Sequence, residues 1–236
     1  MKIALCLSGQ PRALDVGYSH LYREFLSKYS VDTFCHIWFD PKLDGTPFSY
    51  NIVYPGRNEM WKDNLDKTIL QMYNPKMYTF ELPKVFPFDT KANYETSKSN
   101  NCSMFYSIQK SNDLKLEYER LHNFKYDLVI RARTDITISN CKLDLNTLDT
   151  RKIYTSTTHQ HFTDGTEICN DQLAIGSSSL IDAYSSLYSL LNFYWVRDTP
   201  PSMVGERILT HHLRNCKIPV KCCTQEVLFN DIYKGC

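Results

Sequence analysis

Arg131, Arg133 and Asp135 stand at every second position of the stretch YDLVIRARTDITIS, residues 126–139. Side chains two apart on a strand share a face, so the three form one charged row if the strand persists through Asp135. Two guanidinium groups beside a carboxylate suit a diphosphate with a bridging divalent ion. Arginine would offset phosphate charge, and Asp135 would supply a hard oxygen ligand to Mn²⁺ or Mg²⁺. The same residues also fit a structural ion pair closing a strand, and both readings stay open here. Leu128, Val129 and Ile130 form an apolar run suited to burial on both faces. Unpaired charge is costly in such a place, so the charged row belongs on an exposed extension or at a site that uses it.

Two further clusters carry chemistry. Ser8, Gly9, Gln10 and Arg12 follow the apolar run that opens the chain. Gly9 permits close approach of backbone to a ligand, and Arg12 can pair with a phosphate; the alternative is a plain turn with a surface arginine. Neither G-x-x-x-x-G-K-[ST] nor G-x-G-x-x-G is present there. In NDQLAIGSSS, Asp171 can serve as general base toward an acceptor hydroxyl, against the alternative of an Asx-turn that merely starts a strand. The loop before it holds His159, His161, Asp164 and Glu167, of which His161 is an acceptor-side candidate. Glu206 opens a late helix, where the dipole favours a carboxylate; a helix end facing a cleft would instead set it on a sugar hydroxyl.

These clusters need elements to hold them. KIALCLS reads as a strand, DVGYSHLYREFLSKY as a helix with Leu21, Phe25 and Leu26 on one side, and VDTFCHIWF as a second strand. Strand, helix and strand within about 40 residues mark a βαβ unit and a parallel sheet. Residues 40–100 lack clear periodicity except for a helix in NEMWKDNLDKTILQMY and a strand in KMYTFELP, and TKANYETSKSNN reads as a loop. The run CSMFYSIQKSNDLKLEYERLHNF is helical, with Met104, Ile108, Leu114 and Tyr118 in its stripe, and leads into the charged strand. Strands KIYTSTT and DQLAIGS, helices SLIDAYSSLYSLLNFYW and MVGERILTHHLRN, and an extended IPVKCCTQEV complete the chain. The expected fold is one α/β domain over 1–236, with an N-terminal half at about 1–136 and a C-terminal half at about 137–236. In open α/β sheets ligands bind at the carboxyl ends of the strands, where all three clusters should fall.

Composition removes several classes. The balance of 27 basic and 26 acidic residues leaves no electrostatic footprint for a long polyanion, so nucleic acid is not expected as a partner. Ile3 to Leu7 is shorter than the roughly 7–15 apolar residues of a secretory h-region, and no stretch reaches the roughly 20 of a membrane span. A cytoplasmic protein is therefore expected. The nine cysteines include no C-x-x-C pair, and reduced thiols are the default.

IALCLSGQPR, SMFYSIQKSNDLKLEYE, YDLVIRARTDI and NDQLAIG, in that order, resemble glycosyltransferase-like proteins of the GT-A type. Such proteins occur in surface-polysaccharide clusters, including lipopolysaccharide-synthesis proteins of the WavE kind, and in large DNA viruses and phages. The resemblance implies a Rossmann-like GT-A fold, with a mostly parallel sheet flanked by helices, and a nucleoside-diphosphate sugar as donor. It implies donor contacts from Ser8, Gly9, Gln10 and Arg12, a metal on Asp135 as the last Asp of D-x-D, and Asp171 as the acceptor-side carboxylate. Arg133 stands where the first Asp of D-x-D would be. Asn101 and Ser107, on the helix with Met104 and Lys110, would lie near the donor. The expected activity is transfer of a sugar to a glycan or lipid-linked hydroxyl. A non-catalytic nucleotide-sugar or glycan-binding module and a sulfo- or phosphotransferase are the alternatives.

Overall fold

Alternate residues of the first strand enter two different apolar layers. In β1 (Ile3–Gly9), Ile3, Leu5 and Leu7 pack into one cluster, whereas Ala4 and Cys6 pack into the other. A strand buried on both faces needs helices on both sides, and the chain supplies them. The computed structural model describes residues 1–48, 60–86, 95–195 and 204–233. On the first face lie α1 (Leu14–Leu21), which runs on into a π-helical turn at Tyr22–Leu26, and α2 (Leu65–Tyr73). The second face is covered by α3 (Glu95–Leu121), α4 (Ser178–Ser185), α5 (Leu187–Trp195) and α6 (Gly205–Asn215).

Four parallel strands form half of the sheet, in the order β3 (Met77–Glu81), β2 (Val31–Trp38), β1, β4 (Leu128–Arg133). Their carboxyl ends share one edge: Ser8 lies opposite Arg133 and Gly9 opposite Ile37. Beyond β4 the direction reverses. β8 (Leu173–Gly176) pairs antiparallel with β4, with Leu173 opposite Ala132. That pairing brings the amino end of β8, and with it Asp171 and Gln172, to the edge where β1, β2 and β4 end. β6 (Ile153–His161), β7 (Glu167–Cys169) and β9 (Val220–Cys223) complete the sheet. The Rossmann-like α/β layering expected from the order of elements is present, with its parallel half carrying the N-terminal motifs.

Three local expectations change. The charged strand does not persist through Asp135: β4 stops at Arg133, Thr134 and Asp135 form a turn, and β5 (Ile136–Cys141) leaves for a separate two-stranded sheet with β10 (Leu228–Ile232). Asp135 therefore does not continue the row of Arg131 and Arg133 along one strand. Within TKANYETSKSNN, residues from Glu95 onward are helical, as part of α3, because the long helix extends about two more turns into polar sequence; residues 90–94 lie outside the described residues. His161 stands on the end of β6, which with β7 makes a hairpin out of the expected loop.

Glycine decides one contact. A Cβ on Gly17 of α1 would lie 1.8 Å from the Thr134 carbonyl oxygen, so only glycine lets the helix rest on the turn that carries Asp135. Among the described residues, no helix is long and apolar enough to cross a membrane.

Candidate active site

The edge of the sheet opens into a cavity of about 410 Å³. Ser8, Gly9, Gln10 and Arg12 line it from the β1 turn, Trp38 from the end of β2, and Arg131, Arg133, Thr134 and Asp135 from β4 and its turn. Asn101 and Met104 come from α3, Asp171 and Gln172 from the start of β8, and Gly205 and Glu206 from the first turn of α6. All three sequence clusters therefore meet. Their strands are parallel or antiparallel neighbours with polar ends at one edge, the placement that open α/β sheets use for ligands.

The β1 turn is shaped from behind. Gly9 has φ +120°, a region that glycine adopts without strain. Its N–H donates to Ser107 Oγ at 2.9 Å, Ser107 Oγ donates to the His36 carbonyl at 3.1 Å, and His36 Nδ1 lies 2.8 Å from the same hydroxyl. Ser107 is fully buried and does not line the cavity, so the expected donor contact is corrected: it supports the loop. Thr134 Oγ1 donates to the Gln10 carbonyl, tying this turn to the one after β4. His161 is likewise corrected, because the exposed end of β6 leaves it outside the cavity lining.

One wall is cationic. Arg133 Nε and Nη2 donate to Asp135 Oδ1 and Oδ2 at 2.9 and 3.0 Å, and Arg12 Nη2 lies 2.8 Å from Oδ2. Burial works against ionisation of Asp135, but Arg133 and Arg12 outweigh it and hold the carboxyl below its ordinary range. The Tyr233 N–H donates to the Asp135 carbonyl at 2.7 Å, so β10 fixes the turn from outside. Arg131 is 1% exposed; one Nη donates to the main-chain oxygen of Asp171, and its Nε has no hydrogen-bond partner among the described residues. Ser8 Oγ and Trp38 Nε1 are also buried without partners there.

Two further carboxylates line the cavity, Asp171 at the start of β8 and Glu206 at the start of α6. Asn170 Oδ1 accepts from the Gln172 N–H at 2.7 Å, so the Asx-turn exists but belongs to Asn170 and leaves the Asp171 carboxylate facing the cavity. Burial raises the Asp171 pKa, with Arg131 and Arg133 pulling it back. Burial also raises Glu206, and the negative charge of Asp171 raises it further. Neither carboxylate has an ion-pair partner within 4.0 Å among the described residues. Gly205 admits Asp171 to the end of α6, since a Cβ there would lie 2.8 Å from Oδ2.

Asp135 does not fit a metal ligand in this arrangement. Both its oxygens accept from guanidinium groups, and the described residues contain no group of three His, Cys, Asp or Glu side chains able to hold an ion. Trp38 and Gly205 were not among the expected site residues. Applying the strand-end rule to VDTFCHIWF as well as KIALCLS finds Trp38, whereas Gly205 has no signal beyond its place at a helix start.

No family model and no curated protein matches the sequence. Among solved structures, the chain resembles the apo-form glycosyltransferase GlyE of Streptococcus pneumoniae TIGR4, with 9% identity and a TM-score of 0.45 over 93% of this chain and 44% of that one. The chain thus spans less than half of that protein's length. It also resembles a glycosyltransferase involved in the glycosylation of the major capsid of PBCV-1, with 11% identity and a TM-score of 0.39 over 94% of this chain and 82% of that one. At such identities and scores neither match names a donor, an acceptor or a mechanism for this chain.

Proposed function

We propose that this chain is a glycosyltransferase that moves a sugar from a nucleoside-diphosphate donor to a hydroxyl of a glycan or lipid-linked acceptor. The observation that carries the reading is a cavity lined by three arginines and by two carboxylates that have no ion-pair partner among the described residues. Glycosyl transfer calls for both: charge stabilisation where the diphosphate leaves, and a base where the acceptor loses its proton.

In this mechanism the acceptor oxygen forms a bond to the anomeric carbon as the bond to the diphosphate oxygen breaks, and the electron pair departs with the nucleoside diphosphate. Arg12, Arg131 and Arg133 stabilise the negative charge that grows on that leaving group. The sugar passes through an oxocarbenium-like state, and Asp171 takes the acceptor proton if the configuration inverts. Ser8 Oγ and Trp38 Nε1, which have no hydrogen-bond partner among the described residues, are available to the sugar donor. Glu206, beside Asp171, would receive an acceptor hydroxyl.

The test is hydrolysis or transfer from a panel of uridine and guanosine diphosphate sugars. Asp171→Asn is expected to lower turnover by about 10²–10⁴-fold while nucleoside-diphosphate binding is retained. Unchanged turnover in that variant would remove Asp171 from the mechanism. Binding without donor consumption by the wild type would leave a binding module, and thermal stabilisation by an adenosine phosphosulfate alone would point to sulfo-transfer.

A further inference from the structure

Building on the diphosphate-donor reading, we propose that the arginine wall takes the place of a divalent cation, so that the chain binds its diphosphate without metal. Asp135 is then a positioning residue that presents Arg12 and Arg133 together. A cation at Asp135 would have to displace two guanidinium groups that reach both carboxylate oxygens at 2.8–3.0 Å, or sit against them as a like charge. The other cavity carboxylates, Asp171 and Glu206, are not joined by a third ligating side chain: the described residues contain no group of three His, Cys, Asp or Glu able to hold an ion.

Arg131 supplies the second, independent observation. Its guanidinium is buried, its Nε is unpartnered, and no carboxylate oxygen lies within 4.0 Å of it among the described residues. A buried cation without a counter-ion is costly, and an anionic ligand entering the cavity removes that cost. Planar guanidinium groups suit this role, because they meet phosphate oxygens with two parallel N–H donors and keep their charge at any working pH.

The experiment is calorimetric titration of the full chain with inorganic pyrophosphate, uridine diphosphate and guanosine diphosphate, each with EDTA and then with Mn²⁺. At least one of the three is expected to bind with EDTA, its Kd differing from that with Mn²⁺ by less than about threefold. Arg131→Met is expected to weaken binding by about ten- to a hundredfold under both conditions. Should that buried substitution fail to fold, Arg133→Gln, whose side chain is 18% exposed, is expected to act in the same direction. Asp135→Asn is expected to leave the EDTA-to-Mn²⁺ ratio where it is in the wild type. Binding that appears only with Mn²⁺, or an Asp135→Asn variant that loses only Mn²⁺-supported binding, overturns the proposal and leaves the donor reading standing. If none of the three probes binds under either condition, the donor reading fails and the proposal with it.

Discussion

Asp171, buried, and Glu206, half-buried, line the same cavity without an ion-pair partner among the described residues, and the charge on one opposes ionisation of the other. A general base must be deprotonated, so activity should rise with pH through the raised pKa of the pair. Glu206→Gln removes the neighbouring negative charge and should move the acid limb of the kcat/KM profile to lower pH, whereas a Glu206 with no electrostatic link to Asp171 would leave that limb in place. Asp135 shows the opposite outcome for the same residue type. Its burial is greater than that of most carboxylates, yet two arginines keep it charged. Carboxylates at one cavity thus divide by partner: Asp135 is ion-paired with the arginines, whereas Asp171 and Glu206 have no ion-pair partner among the described residues and are the ones proposed for proton transfer.

Two glycines at the elements' contacts separate stability from catalysis. At Gly17 an alanine methyl would collide with main chain, the Thr134 carbonyl, and neither α1 nor the β4 turn can yield cheaply. Gly17→Ala should therefore destabilise the fold by about 1–3 kcal/mol or more, read as a lowered midpoint in urea. At Gly205 the methyl would meet side-chain ends, Asp171 Oδ2 and Met104 Cε at 2.8 and 3.1 Å. Those can turn aside, so Gly205→Ala should cost under about 1.5 kcal/mol. It should still lower kcat by about ten- to a hundredfold, because it displaces the base. Equal losses of stability in the two variants would show that the end of α6 is as rigid as the β4 turn.

The whole molecule carries a pH dependence of its own through His36, fully buried on β2. Burial lowers its pKa to about 4 from the ordinary 6.5, with the charge of Glu81 acting against the shift. Between those values the unfolded chain binds the proton and the folded chain does not. The contribution is therefore fully present above about pH 6.5 and is lost as pH falls toward 4, on the order of 3 kcal/mol in all. Burial lowers His212 as well, so the thermal midpoint should drop across this window, and His36→Gln should flatten the drop only in part. A midpoint independent of pH over that range would contradict the buried, neutral state of both rings. Loss of the His36 ring also removes one of the groups that meet Ser107 Oγ, leaving the His36 carbonyl and the Gly9 N–H, so the same variant tests whether the Gly9 loop depends on the ring.

By itself the sequence determined the layering and most of the chemistry-bearing positions. Apolar runs of strand length alternate with helical stripes, and polar clusters follow the runs at Ser8–Arg12 and Arg131–Asp135. Such signals are legible because periodicity and turn chemistry are local properties of the chain. Which group each charge faces is not local. The antiparallel entry of β8 decides that Asp171 shares an edge with Arg133, and the turn at Thr134 decides that Asp135 reaches back to Arg12 and Arg133. The packing of α3 decides that Ser107 lies behind Gly9 instead of in front of a ligand. Only the tertiary structure could settle these pairings, because register and helix placement minimise buried, unpaired charge over the whole molecule, and no short stretch records that minimum.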